Sequence, residues 1–226
     1  MANNDFGPAV FQSFDTKTSP ATVAGRLKAL RAAISDAGLD GFLVPRADAH
    51  RGESVPASEA RLAYISSFTG SAGLAVVGPK KAGLFVDSRY TLQAPLETDP
   101  KLVTVIETTQ GGVDPRIGDF VPAGGKLGFD PWLHTPGEIK DLGDRLAGKL
   151  TLVPTVNLVD KIWTDRPKPP AAPVEFLGHN RAGRTPSDKL ADLRQTLAEE
   201  NADVVVLTLP ESINWLFNMR GRDVPN

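Results

Sequence analysis

Cysteine is absent from all 226 residues. That excludes disulfide frameworks, thiol nucleophiles and cysteine-type zinc sites together, and it fits a reducing compartment. Histidine is scarce: His50, His134 and His179 stand far apart and form no HxxxH pair. A metal site needs roughly three to six converging ligands, and the sequence clusters no such set. Long apolar runs are lacking too. The longest is four residues, such as Val204 to Leu207, against the roughly 20 that cross a bilayer, which gives no reason to expect a membrane partner. The opening stretch, MANNDFGPAVFQ, lacks the cationic start and apolar core of a signal peptide. Neither sign of charge dominates: Lys and Arg number 25 against 27 Asp and Glu, a net charge of −2. Nothing in that balance attracts a polyanion, so no nucleic acid partner is expected. Two catalytic signatures are missing as well. Gly70-Ser71-Ala72-Gly73 has the wrong spacing for a nucleophile elbow, and Gly125-Lys126 lacks the preceding glycine of a phosphate loop.

What is present describes an ordinary globular chain of the cytoplasm, 41% hydrophobic and 23% charged. At about 150 residues per domain it holds about one and a half domains. Residues 1–18 are polar and unpatterned and are expected to be a mobile arm. Ser19-Pro20 then starts a helix, with Ser as N-cap and Pro at the first helical position. Val23, Leu27, Leu30 and Ile34 form one apolar stripe on it, and Gly38 ends it. Gly41 to Pro45 reads as a short buried strand. A helix carrying Leu62, Tyr64, Ile65 and Phe68 stops at Gly70. Leu74–Val77 and Leu84–Val86 flank a turn-rich segment and predict an antiparallel hairpin. A helix over Tyr90 to Leu96, a strand at Leu102 to Ile106, a short helix near Ile117 and a strand at Lys126 to Asp130 follow. Thr135-Pro136-Gly137-Glu138 spells a capping box, and Leu150 to Val153 is the last strand of the unit. The alternation predicts an α/β fold with a mixed sheet flanked by helices.

The texture then changes. Asp165 to Pro173 holds four prolines in nine residues, the composition of a linker. Beyond it Thr185-Pro186-Ser187-Asp188 repeats the capped helix start. At an offset of 163, Leu27 pairs with Leu190, Leu30 with Leu193, Arg31 with Arg194, Ile34 with Leu197, Asp40 with Asp203, and Gly41–Val44 with Val204–Leu207. At an offset of 151, Tyr64-Ile65 pairs with Trp215-Leu216 and Gly70 with Gly221. This predicts an internal duplication of a helix–strand–helix unit. The domain plan is therefore an arm at 1–18, a complete domain at 19–160, a linker at 161–178 that is proline-rich at 165–173, and a second domain begun at 179–226. About 50 residues bury too little apolar surface to stand alone, and Val204 to Leu207 would be an exposed edge. The chain is expected to be a fragment of a longer one.

Several residues have chemistry in reserve. Asp87-Ser88-Arg89-Tyr90 lies where a strand turns into a helix, the place where α/β proteins make ligand contacts. Arg89 either offers its guanidinium fork to a carboxylate or carbonyl, or pairs with Asp87, or caps a neighbouring helix. Asp48-Ala49-His50 reads as a surface or loop-stabilising pair. Trp163 reads as packing between two domains, Trp132 and Trp215 as core or interface residues, and Asp165-Arg166 as a solvated hinge.

Five stretches together carry a family resemblance. Pro45-Arg46-Ala47-Asp48-Ala49-His50, Ile65 to Gly73 (ISSFTGSAG) and Asp87-Ser88-Arg89-Tyr90 resemble the N-terminal domain of Xaa-Pro aminopeptidases. Asn157 to Pro167 (NLVDKIWTDRP) and Ile213 to Gly221 (INWLFNMRG) look like the three-domain, aminopeptidase P type. The resemblance implies two related creatinase-type α/β domains followed by a catalytic pita-bread domain, absent from this chain. It implies hydrolysis of the bond before a proline in the second position, by two divalent metal ions, usually manganese, held by Asp, Asp, His, Glu and Glu of that downstream domain. It also implies a proline-containing peptide as substrate and a homodimer at full length. No catalytic or metal residue falls on this chain, and the one carried-over position is Arg89, as a substrate-binding residue. Ser88 departs from the family's usual glycine, which puts the aim of Arg89 in question; Arg222 replaces the usual serine. An inactive recognition or assembly module and an amidinohydrolase such as creatinase are the alternatives.

Overall fold

A computed structural model describes residues 18–108, 115–146 and 148–222. The expected arm, save Thr18, lies outside the described residues. Ser19 caps a single 3-10 turn, Pro20–Thr22, which feeds α1 (Val23–Asp36). Then come β1 (Gly41–Pro45), α2 (Arg61–Ser66), β2 (Leu74–Val77), β3 (Ala82–Val86), a 3-10 turn (Ser88–Tyr90), α3 (Gln93–Glu97) and β4 (Thr104–Glu107). A 3-10 segment (Pro115–Phe120), β5 (Lys126–Phe129), α4 (Pro136–Arg145), β6 (Thr151–Pro154) and α5 (Leu158–Ile162) complete the first unit. The second contains β7 (Glu175–Phe176), α6 (His179–Ala182), α7 (Pro186–Glu199), α8 (Pro210–Phe217) and β8 (Met219–Arg220).

The six strands of the first unit form one mixed sheet in the order β4-β3-β2-β1-β5-β6. Only β2, the first strand of the predicted hairpin, runs against its neighbours. Strand alternation sends Phe42, Val44, Ala75, Val77, Leu84 and Val86 to one face, where the α1 stripe of Val23, Leu27, Leu30 and Ile34 covers them. Leu43, Val76 and Phe85 go to the other, against Ile117, Leu127, Leu142 and Leu146. Burial on both faces explains why these strands read as apolar runs rather than as alternating ones.

The second unit repeats the first in backbone as well as in sequence. α1 and α7 have the same length and lie at the offset of 163, and each is followed by a left-handed residue at matching positions, Gly38 (φ 66°) and Asn201 (φ 52°). α2 and α8 end at the offset of 151, again on matching left-handed caps, Ser67 (φ 70°) and Asn218 (φ 53°). The expected capping boxes at Thr135 and Thr185 are both formed. The duplicated strand is not: Val204 to Leu207 forms no ladder, contrary to the expectation for that stretch, because no described strand lies beside it to pair with. Val204 and Val206 are more than three-quarters exposed. Leu190, Leu193 and Leu197 are only half-buried, whereas their counterparts on α1 are sealed beneath a sheet. Replacing Val204 and Val206 together by lysine is expected to reduce self-association of this chain with little effect on its melting temperature; light scattering against concentration reads the first and calorimetry the second.

Where the two units join, the sequence expectations need correction. Trp163 stacks on Tyr64 of α2 (centroids 4.4 Å apart, 20° between planes) and packs on the first unit's core, so its partner lies within that domain. The solvated-hinge reading fails at Arg166, although Asp165 is exposed. Arg166 donates through Nε to the Ser58 carbonyl, and its Nη atoms meet Glu59 and Asp160. Arg61, 5% exposed, joins the same group, with Nε 2.6 Å from Asp160 Oδ1 and Nη1 on Glu59. Two arginines and two carboxylates thus clasp the chain before the prolines begin. At the far end of the expected linker, Glu175–Phe176 pairs with Met219–Arg220 and belongs to an element of the second unit.

Candidate functional site

Five of the six strands of the first unit run one way, so the loops after β1, β3 and β5 emerge at one edge, joined there by the turn that leads into β2. In open α/β sheets that carboxyl edge is where ligands bind. All the family-like stretches of the first unit except NLVDKIWTDRP meet there.

After β1, Asp48 is buried, and its Oδ1 accepts hydrogen bonds from the His50 (3.0 Å) and Gly52 (3.2 Å) amides. The loop-stabilising reading of Asp48 and His50 therefore holds, through the backbone; the His50 side chain is exposed and takes no part. Arg51, at φ 57°, reaches across to the Leu133 carbonyl (2.9 Å) and makes a two-bond pair with Glu138 on α4. After β5, Asp130 accepts from the Trp132 amide and from Asn157 Nδ2, both at 2.9 Å, fixing a turn that presents Trp132 to solvent. Trp132 is 76% exposed, which excludes the core half of its core-or-interface reading. Trp215 is likewise mostly exposed, with Lys189 Nζ 4.2 Å above its ring.

The turn at Gly70 to Gly73 and the turn at Asp87 to Tyr90 are one unit. Tyr90 Oη accepts from the Ser71 amide (2.9 Å) and lies 2.7 Å from Ser71 Oγ, while its ring meets Phe68 edge-on. Gly70 permits this approach: a β-carbon there would lie 2.2 Å from the Phe68 ring and 2.8 Å from that of Tyr90. The sequence analysis gives neither Ser71 nor Tyr90 a role, although each stands in a family-like stretch. Beside them is a polar cleft of about 150 Å³ lined by Arg46, Ala47, Arg51, Gly52, Glu53 and Ser71.

Arg89 stands at the rim, its side chain 61% exposed. Asp87 Oδ1 accepts from the Arg89 amide, capping the turn, and also from Arg89 Nε, both at 3.0 Å; Oδ2 accepts from Nη2 at 2.7 Å. Those bonds hold the Asp87 carboxyl below the usual carboxylate range and raise the guanidinium pKa. The pairing foreseen as one possibility for Arg89 is formed, and the residue still points outward. Ser88 lies in a 3-10 turn and is not among the residues of positive φ, so its replacement of glycine strains nothing.

Below the loops, His134 packs edge-on against Phe129, and its Nε2 is buried without a hydrogen-bond partner. Burial lowers its pKa from the ordinary 6.5, outweighing the nearby Glu138 and Asp130 carboxylates, with Arg51 adding to the lowering. The folded state then binds fewer protons than the unfolded chain, so its stability is full above about pH 6.5 and falls as pH drops below that value. His134→Phe is expected to remove this limb, read as melting temperature against pH for both proteins.

Among the described residues no three His, Asp or Glu side chains approach closely enough to hold a metal ion. The described residues do not fit a two-metal centre, which the resemblance assigns to a downstream domain.

The fold and this edge define a class: an α/β domain whose loops gather at the carboxyl edge of a mixed sheet, followed by a second unit that repeats its helices. The creatinase/prolidase N-terminal domain model matches residues 26–162, and a second model of the same description matches 165–226. The chain belongs to the creatinase/prolidase N-terminal domain family. It is 36% identical over 209 residues to aminopeptidase P2 of Arabidopsis thaliana, covering 89% of this chain and 29% of that protein. It is 35% identical over 205 residues to Xaa-Pro aminopeptidase 2 of Sus scrofa, covering 88% and 30%. Among solved structures, the X-prolyl aminopeptidase of Caenorhabditis elegans, described as a cytosolic enzyme with a di-nuclear active site, superposes with a TM-score of 0.81 at 32% identity. That match covers 90% of this chain and 35% of the nematode protein. The chain spans about a third of the length of the curated relatives it matches.

Proposed function

We propose that this chain is the non-catalytic N-terminal part of a cytoplasmic Xaa-Pro aminopeptidase. Its first unit shapes the approach of proline-containing peptides, and Arg89 contacts the substrate. The observation that carries this reading is the likeness to the nematode enzyme over 90% of the chain at 32% identity. The geometry of Arg89 supports its part: an exposed guanidinium on the carboxyl edge, braced from behind and open in front. The two divalent metal ions, with manganese as the usual pair, belong to the rest of the whole protein. Bound there, they would supply the Lewis-acid and water-activating chemistry of the hydrolysis; this chain contributes binding and access. Contacts of the whole protein with a second copy, as a homodimer, are part of the same proposal.

The test compares the whole protein with this chain on an Xaa-Pro peptide in the presence of manganese. The whole protein is expected to release the first residue and this chain to release none. Metal-dependent turnover by the chain alone would overturn the reading. Arg89→Ala in the whole protein is expected to lower kcat/KM by roughly 10–100-fold, as for loss of a charged hydrogen bond. Its melting temperature should not change, because exposed ion pairs contribute little to stability. A lowered melting temperature with unchanged kcat/KM would make Arg89 structural.

A further inference from the structure

Asp87 does more than cap a turn. Its two oxygens engage Arg89 side-on, through Nε and Nη2. A guanidinium has five N–H donors, and the side-on pair uses two of them. The end fork of Nη1 and Nη2 keeps three, and among the described residues Nη1 has no partner. The brace is short, because Asp87 is only two residues away and is itself fixed by the Arg89 amide. The Tyr90 ring lies 5.2 Å from the guanidinium carbon, and Tyr90 is tied to Ser71. A side chain that would otherwise sample many rotamers is therefore held from behind with its fork facing outward, which lowers the entropy cost of using it.

The pair also sets the charge of the site. Arg89 and Asp87 cancel, held in direct contact through two hydrogen bonds. Such a fork suits a neutral acceptor, since a second carboxylate would face the Asp87 carboxylate already in place.

We infer that Asp87 is the positioning residue that aims Arg89 at a neutral main-chain carbonyl of the peptide, and that it also makes the site discriminate against carboxylates; this rests on the substrate-binding reading of Arg89 given above. Asp87→Asn is the informative variant. Asn retains an oxygen to cap the Arg89 amide and is as good an N-cap as Asp, but it removes the charge and turns one acceptor into a donor facing Nη2.

In the whole protein, Asp87→Asn is expected to raise KM for an Xaa-Pro tripeptide by roughly 10-fold with little change in kcat, the pattern of lost uniform binding. The double variant Asp87→Asn/Arg89→Ala should be no worse than Arg89→Ala alone, because a residue acting only through another adds nothing once that one is gone. Full additivity, or an unchanged KM in Asp87→Asn, would overturn the inference while leaving the aminopeptidase reading intact. A whole protein that cleaves no Xaa-Pro peptide would instead overturn the reading, and the inference with it. A second measurement uses this chain with 15N-labelled arginine. The Arg89 Nε–Hε signal should exchange slowly in the wild type and faster in Asp87→Asn. Added sodium acetate should leave it in place in the wild type and move it in the variant. Rapid exchange in the wild type, or an acetate shift there, would refute the brace or the neutral-acceptor assignment respectively.

Discussion

Replacing Arg61 by alanine is expected to destabilise the first unit by about 3 kcal/mol and lower its melting temperature by roughly 6–12 °C. Arg61 is buried and holds two carboxylates at once, Asp160 of α5 by two bonds and Glu59 by one. Removing it leaves both carboxylates facing a single cation, Arg166, in a partly dehydrated pocket. Breaking one member of a buried ion group costs about 3–5 kcal/mol. The lower end applies here because Glu59 and Asp160 keep 22% and 31% of their side-chain exposure, so water recovers some of the loss. The same change should free the segment before the prolines, since Arg166 loses the neighbour that fixes its own partners. Limited proteolysis between residues 161 and 173 reads that release, and calorimetry reads the stability. A variant that melts within about 1 °C of the wild type would show that the four charges are solvated independently rather than acting as a clasp.

Gly78→Ala should be about as damaging, at about 3 kcal/mol, by a different mechanism. A β-carbon there would sit 1.8 Å from the Phe120 carbonyl oxygen, and that obstacle is backbone, unable to rotate away. Gly78 is also committed through its own backbone: its amide donates to Lys81 across the hairpin turn, and its carbonyl accepts from Arg31 Nε. The hairpin or the 3-10 segment Pro115–Phe120 must move. Gly25→Ala is the control of opposite sign. It lies on the exposed face of α1 with nothing within 4 Å of the added carbon, so it should stabilise by about 0.5–1 kcal/mol. Chemical denaturation of the two variants separates packing from backbone entropy. If both destabilise equally, the close approach at Phe120 is not the cause.

How much of this could be read from the chain depends on how far apart the interacting groups lie. The α1 stripe, the caps at Ser19, Thr135 and Thr185, and the hairpin at Leu74 to Val86 were all legible, since each is specified within a few residues. The helix α5 was not expected; its Asn157 cap and five residues are too short to give a period. NLVDKIWTDRP stood out as a motif without a mechanism. Its physical content is Asp160 on Arg61, Trp163 on Tyr64 and Arg166 on Glu59, pairs about a hundred residues apart that no local pattern announces. Arg89 was found as a candidate because strand ends in α/β proteins carry ligand contacts. Its side-on brace could not be told in advance from a pairing that buries the fork.

The sequence by itself determined the α/β class, the first unit's strands and caps, and the duplication whose offset of 163 reappears in helix ends and left-handed caps. Tertiary structure decided two things. It brought the loops after β1, β3 and β5 to one edge, because strand direction depends on pairing order and not on local propensity. It also decided that Gly41–Pro45 is a strand while the equally apolar Val204–Leu207 is not. A helix satisfies its backbone hydrogen bonds within its own residues, so α1 and α7 form alike. A strand needs a neighbour, and among the described residues only the first copy has one.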